Sequence, residues 1–256
     1  MYNLNRLISP QILEELIRIL PTPKQKPKGR KRCNKKALVL GIIYVLKRSV
    51  PWYDCPDFGA SYSSCFRYFK EIQRRGNLKK IFKLKTFDKT NINVCSIDSS
   101  SVTSFRFKSG TGFDGKHKKC ATKVSALADQ NGLPADVVFG KGNIHDLHFV
   151  LPHMINTLGR AKKILNMDKG YTSLELRRKL RQKGIRVNME MKSGDYTRKI
   201  GPKFKLNQAI YHTRFTIERL FGWLKSFKRC RLRQEFTMSS FKAFIYLSLI
   251  IILIRG

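Results

Sequence analysis

The chain has 256 residues, enough for one medium domain or a small and a medium one, and long enough to bury a real core. Its 52 Lys and Arg against 17 Asp and Glu leave a formal charge of +35, which opposes compaction and calls for a polyanionic partner such as nucleic acid. Hydrophobic residues at 42% and aromatics at 11% exclude a disordered basic tail. Cys33, Cys55, Cys65, Cys95, Cys120 and Cys230 have no zinc-ligand spacing and read as reduced and mostly buried. The N-terminus shows no secretory pattern. The longest apolar run, Ala243 to Ile254, has 12 residues, whereas a membrane span needs about 20. It predicts a buried C-terminal helix and no membrane partner.

Ser9-Pro10 opens the first predicted helix, which runs to Leu20 with apolar residues at Ile12, Leu13, Leu16, Ile17 and Leu20. Pro21, Pro23 and Pro27 break it, and Lys24 to Lys36 forms a basic arm without an acid, suited to phosphate contact. A helix from Asn34 carries Leu38, Ile42, Val45 and Leu46 and stops before Pro51-Trp52; another runs from Tyr62 to Arg75 with Arg67, Lys70, Arg74 and Arg75 off its apolar side. The pair fits a helix-turn-helix outline and, equally, a plain helical hairpin.

After Asp88 the pattern turns to strands. Asn93 to Phe105 reads as a strand, and Cys120 to Asp129 with Ala135 to Phe139 as a hairpin about Gln130-Asn131-Gly132. A helix from His145 to Leu158, a strand Ala161 to Met167, a helix Ser173 to Lys183 and a strand Ile185 to Met191 follow. A basic loop with Lys192, Arg198, Lys199, Lys203 and Lys205 then leads to one long helix, Gln208 to Lys228. Three strands, helix, strand, helix, strand, helix is the order of a ribonuclease H-like mixed sheet with flanking helices. The expected organisation is a small all-α, helix-turn-helix-like domain over residues 1–88 and an α/β domain over 89–256.

In a chain so poor in acids, a carboxylate beside an apolar strand is informative. Asp98 follows Val94-Cys95-Ser96-Ile97, and Asp168 follows Ile164-Leu165-Asn166-Met167; strand ends are where open α/β sheets place ligand groups, and also where carboxylates cap turns. On the long helix Tyr211, Arg214, Glu218 and Lys225 fall within roughly 60° of one another at about 100° per residue. Ile210, Ile217, Leu220 and Leu224 form the neighbouring buried face. Asp98, Asp168 and Glu218 are three oxygen donors suited to Mg²⁺ amid phosphate-binding cations. Two such ions could drive an in-line phosphodiester displacement.

These residues resemble a known family. Tyr211, Arg214, Glu218 and Lys225 match in full the signature around the catalytic Glu of insertion-sequence DDE transposases. Asp168-Lys169-Gly170-Tyr171 is similar to the block of their second Asp, Ser96-Ile97-Asp98-Ser99-Ser100 to that of the first, and Asn143-Ile144-His145-Asp146 to a recurrent element. Gly29-Arg30-Lys31-Arg32, Ile43-Tyr44-Val45-Leu46 and Pro51 to Pro56 resemble the N-terminal DNA-binding region of family five. The resemblance implies a cut-and-paste transposase in which Asp98, Asp168 and Glu218 hold two Mg²⁺, with Mn²⁺ as a substitute, and Asp98 is shared between them. It also implies that Tyr211, Arg214 and Lys225 position transposon-end DNA. Lys169, Arg30, Lys31, Arg32, Arg67 and Arg74 join them as expected DNA contacts. Double-stranded DNA, both ends and target, would be the partner, on a homo-oligomer, in the DNA-associated cytoplasm or nucleoid. Thr172, where the family often has Asp, and Asn188 to Met191 depart from the pattern.

Gly110 to Gly115 spells a dinucleotide-binding GxGxxG but opens no helix, so it reads as a loop between strands. His145, His148 and His153 lack a completing zinc set; Asn143 and His145 read as capping and packing residues, and the resemblance offers a place beside the active site as the alternative. A catalytically silent transposase-derived DNA-binding protein and a structure-selective nuclease on the same core are the competing functions; the intact triad opposes the first and residues 1–88 the second.

Overall fold

A computed structural model describes residues 7–23, 25, 27, 31–104, 109–158, 163–190 and 206–256. In chain order these form α1 (Pro10–Ile19), α2 (Lys35–Arg48), α3 (Tyr62–Arg74), α4 (Asn77–Lys89), β1 (Val94–Ser104), β2 (Gly112–Asp114), β3 (Lys119–Asp129) and β4 (Pro134–Lys141). A composite helical segment α5 over 146–158 follows, then β5 (Lys163–Asn166), α6 (Leu174–Gln182), β6 (Ile185–Asn188), α7 (Gln208–His212), α8 (Phe215–Ser226), α9 (Lys228–Arg231), β7 (Leu232–Arg233) and α10 (Met238–Arg255). Arg30, with Lys24, Lys26 and Lys28 of the basic arm and the loop from Lys192 to Lys205, lies outside the described residues.

The chain divides into two compact units, Met1–Lys85 with Thr103–Ser109 and Trp223–Gly256, and Thr86–Val102 with Gly110–Gly222. The first is helical. Ser9 caps α1 by accepting the Ile12 N–H, and Asn34 caps α2 by accepting that of Lys36. The burial of Ala37 to Ile43, Val45 and Leu46 makes α2 its central helix. Helix α10 is long and apolar enough to cross a membrane, but Phe241, Ile245, Leu249 and Leu253, spaced by four, are each 0% exposed in the core of this unit. The Phe69 and Phe244 rings stack with centroids 4.4 Å apart, and Trp52 closes the aromatic cluster against Phe66 and Phe69.

The second unit is a mixed sheet. Its strand order is β2-β3-β1-β5-β6, with β4 also on β3; β1, β5 and β6 run parallel, and β2, β3 and β4 antiparallel. This is the expected ribonuclease H-like arrangement with one added short strand. Period-two alternation sorts its residues. Cys95, Ile97, Leu165, Met167, Ile185 and Val187 point into a core shared with Val150, Met154, Leu176 and Leu180. Ser96, Asn166 and Asn188 are the alternate residues between these apolar positions, and their side chains are buried too.

Four expectations change. The GxGxxG segment is not all loop: Gly112–Asp114 pairs with Lys119–Ala121, and the Asp114 carboxylate holds the turn by accepting from Ser101 Oγ and the Lys116 and His117 N–H groups. Helix α4 goes unread in the sequence because Leu78 and Phe82 are buried while Leu84 and Phe87 are exposed, which blurs the apolar stripe. The helix after His145 changes winding around Pro152, which has no N–H to donate. The long helix is interrupted: after His212 the N–H groups of Thr213 and Arg214 turn to the carbonyls three residues back, Ile210 and Tyr211. The cause is local competition for the Ile210 carbonyl, which accepts from both Thr213 Oγ1 at 2.8 Å and Asn166 Nδ2 at 3.0 Å.

Candidate active site

The parallel register places the two aspartates. Ser96 pairs with Asn166, and two residues further on come Asp98, within β1, and Asp168, just past the end of β5, whose charge acts on the Asp98 carboxyl. Asp98 is not at a strand end, because β1 continues to Ser104. It lies where the described ladder to β5 has stopped at Ser96 and that to β7 begins only at Thr103, so the strand edge beside it is open. Asn166 pairs in turn with Asn188, the last residue of β6, and Glu190 follows two residues on.

Burial holds the Asp98 carboxyl above its ordinary range. The Ser99 N–H, 2.8 Å from its Oδ1, and the Arg214 charge oppose that rise, while Asp146 and Asp168 add to it. The backbone there is tied down from behind. Ser125 Oγ donates to the Asp98 carbonyl at 3.3 Å and lies 3.1 Å from His153 Nε2, and His153 Nδ1 lies 2.7 Å from Asp136 Oδ2. His153 is 0% exposed and acts in packing, and His145 caps α5 by accepting the Leu147 N–H, the capping role expected of it. Ser125→Ala removes the hydroxyl that joins the Asp98 carbonyl to the buried His153 ring, an expected loss of about 1–3 kcal/mol in urea denaturation. Unchanged stability would show that the tether carries no energy.

Helix α8 is anchored to the β3-β4 turn. Arg219 donates to the Asn131 carbonyl at 2.6 Å, Thr216 Oγ1 lies 3.5 Å from the Asp129 carbonyl, and Gly132 makes the turn with φ +86°. One helical turn from Thr216, Arg214 pairs with Glu218 at 3.0 Å, and its guanidinium lies 5.8 Å from the Tyr211 ring centroid. Burial raises the Tyr211 hydroxyl, and Glu190 adds to that rise. The structure therefore brings Asp98, Asp168 and Arg214 into one electrostatic neighbourhood, with Glu218 bound to that arginine. Sequence reasoning missed Glu190, and named Asp146 only as part of the Asn143–Asp146 element. Asp146, 2.8 Å from Lys123 Nζ, acts on Asp98 from the start of α5. Glu190 was legible only through the register of β6.

Among the described residues, no three His, Cys, Asp or Glu side chains are gathered closely enough to hold an ion. The donor chemistry nevertheless fits a hard divalent cation: every candidate donor is a carboxylate oxygen, and the mutual repulsion at Asp98 is what such a charge relieves. Lys169 is exposed in the turn after Asp168, and Lys225 is exposed in the last turn of α8, within the first unit. Lys31 and Arg32 are exposed just ahead of α2, as are Arg67 and Arg74 on α3.

Residues 87–254 match the family model described as "Transposase DDE domain". The chain belongs to the DDE transposase family. A second model, "Putative transposase of IS4/5 family", matches residues 11–82. The insertion element IS402 uncharacterized 16.2 kDa protein of Burkholderia cepacia is 31% identical over 94 residues, 33% of this chain, and the match spans 64% of that relative's length. Among solved structures, the piggyBac transposase synaptic complex with hairpin DNA aligns with a TM-score of 0.55 at 11% identity, over 98% of this chain and 73% of the other. That likeness is one of fold and agrees with the mixed sheet of the DDE family.

Proposed function

We propose that this protein is a metal-dependent transposase that cleaves insertion-sequence DNA ends and transfers them to target DNA. The observation that supports this reading is that Asp168 and Arg214, the partner of Glu218, both act on the buried Asp98 carboxyl, two residues past the Ser96–Asn166 strand pair. Asp98, Asp168 and Glu218 would hold Mg²⁺ or Mn²⁺. When bound, the ions supply Lewis-acid activation of a water or 3′-hydroxyl and stabilisation of the leaving oxygen. The Arg214–Glu218 pair is an exposed helical ion pair worth roughly 0.3–0.5 kcal/mol, so Glu218 can exchange this partner at small cost. Arg214, freed, turns its fork to a phosphate, with Tyr211, Lys169 and Lys225 as further contacts to the end. Arg30, Lys31, Arg32, Arg67 and Arg74 bind the DNA backbone, in keeping with a charge of +35. The DNA-binding part corresponds to residues 1–88 and the catalytic part to 89–256. The working form is a homo-oligomer on double-stranded DNA, in the cytoplasm at the nucleoid.

The test is cleavage of supercoiled DNA carrying the element's flanking ends, in Mg²⁺ or chelator, by the protein and by Glu218→Ala. Expected are Mg²⁺-dependent nicks at the ends that vanish in the variant. Salt-sensitive binding without nicks from either protein sinks this reading and leaves a silent DNA-binding derivative.

A further inference from the structure

Three adjacent parallel strands carry polar side chains at one register level, on residues that should be apolar in a sheet interior. Ser96, Asn166 and Asn188 are 1%, 0% and 1% exposed, and buried amides are costly unless every donor and acceptor is used. These are used, and they point one way. Asn188 Nδ2 donates to Asn166 Oδ1 at 2.9 Å and to the Asn207 carbonyl at 3.1 Å, while the Asn207 N–H donates back to Asn188 Oδ1 at 2.9 Å. Asn207 Oδ1 then caps α7 by accepting the Ile210 N–H at 3.1 Å. Asn166 Nδ2 donates to the Ile210 carbonyl and to Thr213 Oγ1, both at 3.0 Å, and lies 3.4 Å from Ser96 Oγ. The ladder thus grips both ends of α7, at its cap and at the interruption immediately before Arg214.

We propose that Asn166 and Asn188 are positioning residues for strand cleavage: through the cap of α7 and Thr213 they fix the corner from which Arg214 and Glu218 face Asp98 and Asp168. The proposal rests on the transposase reading above. An apolar row would pack the same strands, yet it could not specify where the helix starts or where it breaks. The Asn166 and Asn188 amides specify both, because shifting α7 along its axis by one residue would break four hydrogen bonds at once. Asp98, Asp168 and Glu190 each follow two residues after Ser96, Asn166 and Asn188, so the ladder lies next to the acids along all three segments.

The test compares the full-length protein with Asn166→Leu, a near-isosteric change, and with the pair Thr213→Val and Thr213→Ser, which remove and keep the hydroxyl. End-DNA affinity, nicking rate at saturating DNA and melting temperature are measured for each. A misplaced catalytic constellation loses up to about 100-fold in rate. Expected in Asn166→Leu and Thr213→Val is therefore a roughly 10- to 100-fold lower saturating rate with end affinity within about two-fold, and near-parental nicking in Thr213→Ser. A saturating rate within two-fold of the parent in folded Asn166→Leu overturns the proposal, because a packing role alone would move only the melting temperature. If Asn166→Leu does not fold, equal rates for Thr213→Val and Thr213→Ser overturn it. If the parent itself makes no Mg²⁺-dependent nicks, the transposase reading has failed instead. The ladder is then judged by hydrogen exchange at the Arg214 and Glu218 amides, which should quicken about ten-fold or more in Thr213→Val but not in Thr213→Ser; equal exchange in the two overturns it.

Discussion

Asp98→Asn is expected to abolish Mg²⁺-dependent strand cleavage, by about 10³-fold or more, and at the same time to raise the melting temperature of the metal-free protein at neutral pH. The first effect follows from removing one oxygen donor of the ion that bears the charge of the displacement; a barrier increase of about 4 kcal/mol corresponds to that factor. The second follows from the environment of the carboxyl. Burial, with Asp146 and Asp168 adding, holds Asp98 above its ordinary range, so the folded protein binds this proton more tightly than the unfolded chain does. That contribution is complete below the unfolded value and is lost as pH rises through the folded one. At neutral pH the parent therefore carries a charge that its surroundings disfavour, and the neutral amide escapes this while keeping the shape. The stability gap between variant and parent should close on acidification into the ordinary aspartate range and close again when Mg²⁺ is added to the parent. Melting curves at several pH values with chelator, together with the nicking assay, read both effects. A variant that nicks normally removes Asp98 from the site, and one that melts below its parent at neutral pH contradicts the desolvation argument.

Arg229→Ala is expected to be the most destabilising single truncation in the helical unit, at about 3–5 kcal/mol. Arg229 Nε lies 2.5 Å from Glu235 Oε1, with side-chain exposures of 7% and 4%, and Nη1 donates to the Val50 carbonyl at 2.7 Å. The guanidinium also lies 5.5 Å from the Phe244 ring centroid. Truncation leaves the Glu235 carboxylate buried without its counter-charge, which costs more than the pair gained by forming. At about 2–4 °C per kcal/mol for a chain of this size, the melting temperature should fall by roughly 6–20 °C. The double variant Arg229→Met with Glu235→Leu is the discriminating control. Removing both charges in favour of apolar volume should recover most of the loss, whereas additive losses would mean that packing around Arg229, and not the orphaned charge, sets the effect.

Several elements were legible in the chain before any coordinates. Ser9-Pro10 announced α1, Asn34 announced α2, and Gln130-Asn131-Gly132 between two strand patterns announced the β3-β4 hairpin; each rests on local chemistry that acts within a few residues. The family resemblance was legible for the same reason, since the spacing from Tyr211 to Lys225 and apolar runs before an aspartate are short-range patterns. The break at Thr213 was not, because it is made by Asn166, which lies 47 residues away. Glu190 was not legible because nothing in its own neighbourhood marks it, and Asp146, though part of the Asn143–Asp146 element, is shown to act on Asp98 only by the tertiary structure.

The change of character at Asp88 correctly marked the start of the sheet, and the sequence alone was enough to assign a basic, two-part α/β protein with its acids and its cations. Which segments fold together was decided by the tertiary structure alone. Residues 223–256 join the helical unit with residues 1–85, because α10 is apolar on every side and needs α1 and α3 to cover it. Hydrophobicity states that a helix must be buried but carries no address, and the address comes from which other apolar faces remain open once the sheet has formed.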